Sequence, residues 1–505
     1  MAEEIIDSYD SVKIVHRGHD ILPEYRLIYP EMSESEKLIL KDPSAVVKNY
    51  KDLMRSVDAI QSPSEKEAYI KSYLETQLRE KGVSPANETY IIENILDNMF
   101  LGYGRIGPMM RDEQLEEIMI NGVGRRIFVV HRKHGMCESN LLFEEKESLM
   151  AIIKWLSNYV QREISETSPL LDAQMPDGSR ANIAVQPAAP YGPAITIRKF
   201  KKVPYNVIDL IKIGSLTPEL ASFLWLCIEG LGIHPINMLV SGGAGSGKTT
   251  LMNALAMFIP QTERIVTVED TLELNFDFMD NWVPMEAMPS VLEASRSRLD
   301  MDMLLKNALR MRPDRVIVGE VRGEEAQTLM VAMDIGMRGS MGTIHANNAR
   351  DTTLRLLDQP MAVPLRMMPL INVIVVMNRI YDRRRGMIRR VTQVSEISGI
   401  EGEVVQIGDI YTWNMNLDKI SRTEFPVMLI DKLAERCNIP KKRIQTELLV
   451  REKVLQYMVN NNITGNDEVV SMLHKYHVDP QLVIDDIRNR TGGAAIPPTI
   501  PPAKS

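Results

Sequence analysis

The spacing of apolar residues changes along the chain, and these changes predict where helices and strands alternate. Apolar side chains recur every three or four positions in 63–82 and again in 88–101, which is typical of amphipathic helices. A helix is also predicted over 114–120, followed by a hairpin of 127–130 against 138–143. These patterns predict a small helical unit followed by an α/β layer.

The same patterns divide the whole chain into successive stretches. Residues 1–60 carry few apolar side chains between their prolines and charges, so we expect an extended or partly ordered arm. The stretch 491–505 is rich in proline and glycine, and we expect it to be disordered. Between them we expect a helical N-terminal unit (61–104), an N-terminal α/β domain (105–202), a linker (203–208), a core domain (209–425) and a C-terminal helical region (426–490).

Composition narrows the class of protein. The chain of 505 residues is 44% hydrophobic and 25% charged, which is typical of a soluble globular protein with about three domains. Its net charge of −8 would repel nucleic acid, so we expect no such partner. Cys137, Cys227 and Cys437 are too far apart in sequence to indicate a zinc site or a disulfide scaffold. No apolar run approaches the ~18 residues of a membrane span, and the acidic N-terminus is unlike a signal peptide. We therefore expect a cytoplasmic protein.

A glycine-rich stretch follows the apolar run 236–241 and precedes a helical pattern. It reads GGAGSGKTT and comprises Gly242, Gly243, Ala244, Gly245, Ser246, Gly247, Lys248, Thr249 and Thr250. Small residues let successive backbone N–H groups turn inward around a polyphosphate. We expect Lys248 to reach the β and γ phosphates and Thr249 to coordinate Mg²⁺. The alternative is a chance glycine-rich turn, but the strand before it and the helical pattern after it favour a nucleotide site.

Acidic residues end two apolar strands farther along the chain. The run 315–322 reads RVIVGEVR, and its Glu320 is the best candidate to orient the water that attacks a phosphate. An earlier strand, 265–268, is followed by Glu269, Asp270 and Glu273, which could hold Mg²⁺ and its water shell. The predicted magnesium site therefore includes Thr249, Glu269 and Glu320, partly through water. The alternative for these acids is solvated strand ends and turns.

Two further features carry less specific chemistry. His345 follows a short strand, where it could sense the γ phosphate or couple the site to a neighbouring subunit, although a packed structural histidine is the alternative. A basic stretch around residue 385 is predicted as a solvated hairpin turn, and its alternative is a docking site for an acidic partner or a lipid surface. Its arginines are Arg379, Arg383, Arg384, Arg385, Arg389 and Arg390.

Four motifs, the phosphate loop, VEDTLEL, VGEVRG and GTIHAN, resemble in order and spacing those of the type II/IV secretion ATPase superfamily over roughly 100–425. They correspond to its Walker A loop, Asp box, Walker B strand and His box. The resemblance implies a RecA-like core, an N-terminal α/β domain, a hexameric ring, and Mg²⁺ and ATP as ligands. It also implies that Arg180 and Arg198 lend positive charge to the phosphates, although either could instead pair with a local acid.

Two departures indicate the branch of the superfamily. The chain reads GEVRG where bacterial members usually read GEIRD, and it lacks the four-cysteine insert of type II assembly ATPases. The tract 359–413 and the helical C-terminal region look like the archaeal branch, especially the ATPase of the archaellum, the archaeal swimming filament.

That resemblance implies a ring motor at the cytoplasmic membrane that powers archaellum assembly and rotation. The partners it implies are a polytopic membrane platform protein and accessory motor proteins. Because the apolar residues of the arm 1–60 are too sparse for a core, we expect the arm to dock an accessory motor protein. One alternative is the same engine in an archaeal adhesive pilus or in conjugative and type IV secretion. A nucleotide-gated interaction module with little turnover is the alternative from another class.

Overall fold

A computed structural model describes residues 3–18, 21–47, 50–60, 63–200, 204–287, 299–382 and 385–490. The chain divides into two compact units. The first consists of Met1–Lys202 with Arg383–Met387, and the second of Val203–Asp382 with Ile388–Ser505. Each unit has its own nine-stranded sheet within the described ranges.

The first unit combines its sheet with six helices among the residues described. The elements are β1 (Glu3–Tyr9), β2 (Val12–Arg17), β3 (Glu24–Leu27), α1 (Glu34–Lys41), α2 (Tyr50–Asp58), α3 (Pro63–Glu80), α4 (Pro85–Met99), α5 (Gly107–Arg111), β4 (Leu115–Ile120), β5 (Arg126–His131), β6 (Gly135–Leu142), α6 (Lys146–Tyr159), β7 (Leu170–Gln174), β8 (Arg180–Ala184) and β9 (Ala194–Arg198). The strand order is β1-β2-β3-β6-β5-β4-β9-β8-β7. Neighbours are antiparallel except β3 and β6, which run parallel.

The prediction of an extended or partly ordered arm over 1–60 is wrong for the described part of that stretch, and residues 1–2, 19–20 and 48–49 lie outside it. Strands β1 to β3 extend the sheet, and Ile14 and Tyr25 are fully buried in its core. Leu53 and Val57 of α2 pack in a second apolar cluster with α3 and α4. The apolar residues of the arm are too few to form a core alone, but they complete cores supplied by elements farther along the chain.

The helix predicted over 114–120 is also wrong, because this stretch is strand β4. It pairs with β5 on one side and with β9 on the other. Leu115, Ile118 and Ile120 are buried, and the residues between them are partly exposed. Pairing on both edges favours the extended form, and such tertiary contacts often override local helix propensity.

The second unit is built on a sheet with a parallel centre. Its elements are α7 (Val207–Lys212), α8 (Pro218–Glu229), β10 (Met238–Gly242), α9 (Lys248–Ala256), β11 (Ile265–Glu269), β12 (Trp282–Glu286), α10 (Met301–Ala308), β13 (Arg315–Val321), α11 (Glu325–Asp334), β14 (Met341–Ile344), α12 (Ala349–Leu357), β15 (Val373–Asp382), β16 (Gly386–Glu401), β17 (Val404–Asn414), β18 (Lys419–Arg422), α13 (Met428–Arg436), α14 (Lys441–Asn460), α15 (Asn466–Val478) and α16 (Pro480–Arg490). The strand order is β12-β11-β13-β14-β10-β15-β16-β17-β18, and the first six strands are parallel. The α/β fold expected from the sequence is confirmed.

The parallel centre determines where the chemistry lies. Strands β10, β11 and β14 are buried at every position, as expected for strands covered by helices on both faces. The carboxyl ends of parallel strands meet at one edge of the sheet, which is the usual place for a ligand in such folds. The phosphate loop begins at the end of β10, and the acidic stretch begins at the end of β11. Glu320 lies near the end of β13, and His345 follows β14.

The C-terminal helices share one apolar core with α7, α8 and the sheet of the second unit. Arg451 of α14 is buried between Glu229 of α8, at 2.5 Å, and Glu447, at 3.1 Å. Of the predicted linker 203–208, residue 203 lies outside the described residues, and Val207 already begins α7. The predicted disordered stretch 491–505 also lies outside them. Among the described residues, no helix combines the length and the apolar character that a bilayer span requires.

Candidate nucleotide-binding site

The loop between β10 and α9 has a shape that requires glycine. A Cβ atom on Gly242 would overlap the carbonyl oxygen of Met377 and the hydroxyl of Ser246. Gly245 and Gly247 adopt φ angles of 66° and 97°, in the left-handed region that favours glycine. The backbone therefore turns tightly from strand to helix, which is the geometry that a phosphate cradle needs.

Lys248 is the first residue of α9, and its side chain folds back over the loop. Its Nζ donates hydrogen bonds to the carbonyl oxygens of Gly242, at 3.0 Å, and Gly243, at 3.1 Å. Burial lowers the pKa of Lys248, while the charges of Glu320 and Glu273 oppose that shift. The ammonium group thus lies at the mouth of the cradle, and its carbonyl partners are ones that a phosphate oxygen can replace.

Thr249 and the acidic stretch form a connected set of oxygen atoms. Thr249 Oγ1 donates to Glu273 Oε2 at 3.1 Å, and the backbone N–H groups of Glu273 and Leu274 donate to Glu269 Oε2 at 2.9 and 3.0 Å. Burial raises the pKa of Glu269 to about 8, since its two backbone hydrogen bonds only partly offset the desolvation. Glu269 therefore keeps its proton to a higher pH than an exposed carboxyl group does, and it positions the backbone that carries Glu273.

These donors fit Mg²⁺ only as part of a substrate complex. Mg²⁺ prefers oxygen ligands and usually takes one or two from protein, with water and phosphate supplying the rest. Thr249 and Glu273 provide such a pair, and the buried Glu269 Oε1 has no hydrogen-bond partner among the described residues, so a coordinated water could satisfy it. In the described part of the chain, no cluster of three or more His, Cys, Asp or Glu side chains could hold a metal alone.

Glu320 meets Lys248 and His345 at the end of β13. Its Oε1 lies 2.7 Å from His345 Nε2, and its Oε2 accepts a hydrogen bond from Arg322 at 2.5 Å. Burial raises the pKa of Glu320, but the hydrogen bond from Arg322 and the charges of Arg322, His345 and Lys248 outweigh it, so the pKa lies below its usual value. Glu320 is therefore an ionised carboxylate with a defined orientation.

His345 lies between Lys248 of the phosphate loop and Glu320 of β13. Burial and the charge of Lys248 lower the pKa of His345 below its usual value. Its Nδ1 lies 3.4 Å from Lys248 Nζ, and its carbonyl oxygen accepts a hydrogen bond from Arg355 at 2.7 Å. Because the Lys248 ammonium can only donate, Nδ1 of a neutral His345 is the acceptor and Nε2 carries the proton; Nε2 lies 2.7 Å from Glu320 Oε1 without a hydrogen bond to it.

Two residues of this site had no role in the sequence analysis. A Cβ on Gly319 would lie 2.6 Å from Glu269 Cγ, so glycine before Glu320 gives the buried acid its space. Arg322 also lies 3.5 Å from Asp270 Oδ2, which ties Asp270 to Glu320 rather than to the threonine–glutamate pair. Both residues belong to the motif VGEVRG. Their contacts with Glu269 and Asp270 arise because β13 pairs with β11, which the motif alone does not indicate.

Arg379 and Arg385 are exposed beside the turn between β15 and β16, as predicted, but the structure contradicts the prediction of a solvated turn for Arg389 and Arg390. Arg390 is buried, and its guanidinium group forms hydrogen bonds at 2.9 Å with both carboxylate oxygens of Asp418. Arg389 Nε donates to the Gly245 carbonyl oxygen at 2.9 Å. Residues 383 and 384 lie outside the described residues. The side chains at 389 and 390 alternate across strand β16, so one faces the phosphate loop and the other faces Asp418, a half-buried residue in the turn between β17 and β18.

Arg180 and Arg198 are direct partners on the neighbouring strands β8 and β9 of the first unit. Arg198 Nε lies 3.2 Å from Glu117 Oε1, which matches the alternative of pairing with a local acid. Contact of Arg180 and Arg198 with the phosphates remains a prediction.

Comparison with known proteins assigns the family. Residues 102–395 match the family model for "Type II/IV secretion system protein". Two relatives are uncharacterized proteins of Methanocaldococcus jannaschii. The first is 45% identical over 50% of this chain and 35% of its own length. The second is 34% identical over 76% of this chain and 69% of its own length. The chain thus spans about a third of the first relative.

Another relative is the probable conjugal transfer protein TrbB of Sinorhizobium fredii, which is 31% identical over 48% of this chain and 71% of that protein. Among solved structures, the VirB11 ATPase of the Brucella suis type IV secretion system is 26% identical, covers 57% of this chain and 94% of that one, and has a TM-score of 0.30. The family match covers more than half of the chain and includes all four motifs. The chain therefore belongs to the type II/IV secretion system protein family, a family of ATPases.

Proposed function

We propose that this chain hydrolyses Mg·ATP and converts the energy into mechanical work. The observation that carries the proposal is the arrangement around Glu320, an ionised carboxylate whose Oε2 accepts a hydrogen bond from Arg322 and whose Oε1 lies 2.7 Å from His345 Nε2. Lys248 stands beside His345 at the phosphate loop. Oε1 of Glu320 has no hydrogen-bond partner among the described residues, so an oriented carboxylate with one oxygen available next to a phosphate cradle is suited to orient an attacking water.

Each residue then has a separate task. The loop N–H groups and Lys248 bind the phosphates, while Thr249 and Glu273 would hold Mg²⁺. When bound, Mg²⁺ supplies positive charge that offsets the charge on the phosphate oxygens. Glu320 accepts a hydrogen bond from water and takes up its proton, and the hydrogen bond from Arg322 keeps Glu320 in position. Arg180 and Arg198 are proposed, from the family resemblance, to add positive charge.

We also propose which cellular assembly this ATPase drives. We propose a homohexameric ring that acts on a polytopic platform protein to assemble and rotate an archaellum. The resemblance of the tract 359–413 supports this choice, and the Methanocaldococcus jannaschii relatives support an archaeal setting without distinguishing among archaeal machines. Accessory motor proteins remain proposed partners through the resemblance alone, because the described part of residues 1–60 does not form the free arm on which their docking depended.

A second candidate has its own support. A relative named as a conjugal transfer protein favours a role in conjugation or type IV secretion. An archaeal adhesive pilus is a third setting for the same engine. A nucleotide-gated interaction module is the alternative without appreciable turnover.

Replacing Glu320 with glutamine tests the chemistry. Glutamine keeps the shape of the side chain but cannot take a proton, so we expect phosphate release to fall by about 10²- to 10⁴-fold, with Mg·ATP binding retained. Glu403→Gln is the matched control, since it makes the same change at an exposed turn residue. If the unmodified chain releases no more phosphate than the Glu320→Gln variant, the chain is a nucleotide-gated interaction module and the proposal of hydrolysis is wrong.

Replacing Lys248 with alanine in the cell that carries the chain tests the machine. Surface filaments are scored by electron microscopy and swimming by light microscopy. Loss of archaella and swimming with adhesive pili intact is the expected result. Loss of pili with normal swimming would reassign the engine to an adhesive pilus, and loss of DNA transfer alone would reassign it to conjugation.

A further inference from the structure

Two arginines from outside the four motifs lie against the phosphate loop. Arg389 Nε donates to the Gly245 carbonyl oxygen at 2.9 Å, and Arg389 Cδ is 3.4 Å from the position of a Cβ on Gly247. Arg379 Nη1 is 3.2 Å from the position of a Cβ on Gly245. Strand β15 carries Arg379 and pairs directly with β10, and β16 lies beside it. The pairing of these strands therefore brings both guanidinium groups to the turn of the loop.

The two side chains differ in how they are held. Arg389 is half-buried, and its own carbonyl oxygen accepts hydrogen bonds from Ser215 at 2.8 Å and Arg390 at 3.0 Å. Its position is therefore fixed through its backbone as well as its side chain. Arg379 is exposed, and among the described residues no hydrogen-bond or ion-pair partner faces it.

We propose that Arg379 contacts the phosphates of the nucleotide bound at this loop and that Arg389 is a positioning residue that holds the turn of the loop at Gly245. The inference rests on the proposed function, since it requires a nucleotide at the loop. A guanidinium group is permanently charged and presents planar pairs of donors that match phosphate oxygens. An exposed arginine beside a polyphosphate cradle, without an acidic partner among the described residues, is suited to this contact.

The Arg379→Gln variant tests the contact directly. We expect the dissociation constant for Mg·ATP to rise about tenfold, the size of a lost hydrogen bond to a charged group. The matched control is Arg422→Gln, which removes the same charge from an exposed position on β18 of the same sheet. Its dissociation constant should stay within about twofold of the unmodified chain, as expected for an exposed charge. The melting temperature without nucleotide should be the same in all three proteins, because Arg379 holds no other described residue.

Equal affinities in Arg379→Gln and Arg422→Gln, with tight binding by the unmodified chain, would overturn the contact and leave the proposed function intact. No binding by the unmodified chain would overturn the proposed function and this inference together. The two failures are thus separated by one titration series.

The positioning role of Arg389 needs a different measurement. Arg389→Lys keeps the charge but loses the Nε donor, so the loop turn loses its anchor while the catalytic group Glu320 is untouched. We expect KM for ATP to rise roughly fivefold, as for a lost hydrogen bond, and kcat to stay within about twofold, because the loop binds substrate and transition state alike. A fall in kcat at unchanged KM would show that Arg389 acts on the chemical step and would overturn the positioning role.

Discussion

The two nine-stranded sheets differ in what their strands bring together. In the second unit, parallel strands buried on both faces end at one edge, so residues from four separate motifs meet there. In the first unit, mostly antiparallel strands alternate between buried and exposed positions, as in β7 and β8. Parallel alignment gathers strand ends into a site, whereas antiparallel pairing joins distant segments into a scaffold.

The scaffold role is visible at Asp112 of the first unit. Asp112 Oδ2 accepts hydrogen bonds from Tyr9 at 2.9 Å and Tyr25 at 2.8 Å. His131 Nε2 is 3.1 Å from the Tyr9 hydroxyl. One carboxylate thus fastens strands β1 and β3 to a segment about a hundred residues away. If the comparison is right, changes at the parallel edge should damage function, and changes at Asp112 should damage stability.

The largest expected effect is that of Gly242→Ala. The added Cβ would overlap the Met377 carbonyl oxygen, and forcing the loop aside should weaken Mg·ATP binding by about 100-fold, which corresponds to the upper end of overpacking costs. Titration with a fluorescent ATP analogue measures this.

Gly399→Ala on β16 is the matched control, because a Cβ there meets no atom within 4 Å and its φ is not left-handed. Normal binding by Gly242→Ala would show that the loop does not need its present shape.

An effect of similar size, on stability rather than on nucleotide binding, is expected from Glu269→Gln. The pKa of Glu269 rises from 4.5 in the unfolded chain to about 8 in the folded one. The folded protein therefore holds one extra proton in this window, and its stability falls as pH rises from about 5 to about 8. Glutamine removes this dependence, on the order of 3 kcal/mol across the window. Urea unfolding at several pH values, without Mg²⁺ or nucleotide, measures the difference.

Glu403→Gln serves as the control here too, since it should keep the pH dependence of the unmodified chain. Identical slopes in Glu269→Gln and Glu403→Gln would mean that Glu269 is ionised in the folded protein at neutral pH.

The smallest effect, and the one confined to the scaffold, is that of Asp112→Asn. Weakening the two tyrosine hydrogen bonds should destabilise the first unit by about 1–2 kcal/mol, with unchanged Mg·ATP affinity. Hydrogen exchange of the β1 to β3 amides reports the loss locally.

Asp10→Asn is the matched control. Asp10 lies in the turn between β1 and β2 with a φ of 44°, which asparagine also adopts. Weakened nucleotide binding in Asp112→Asn would contradict the division between site and scaffold.

The sequence alone determined the phosphate loop, the acids at the strand ends, the parallel α/β core and the family. Those signals are local: glycines needed for a tight turn, apolar runs long enough for a buried strand, and an acid at the end of each run. The first 60 residues and the strand Leu115–Ile120 were interpreted wrongly from the same kind of signal. Their apolar residues are sparse or ambiguous, and their form depends on partners far away in the chain.

Only the tertiary structure determined the pKa shifts of the site residues and which residues lie next to one another. Glu269 and Glu320 are both acids at the ends of strands, yet burial raises the pKa of the first, while Arg322, His345 and Lys248 hold that of the second below its usual value. The place of Arg389 beside Gly245 depends on the strand order, which no local pattern contains. Local sequence selects the chemical groups, and long-range pairing sets the distances and the desolvation that determine what those groups do.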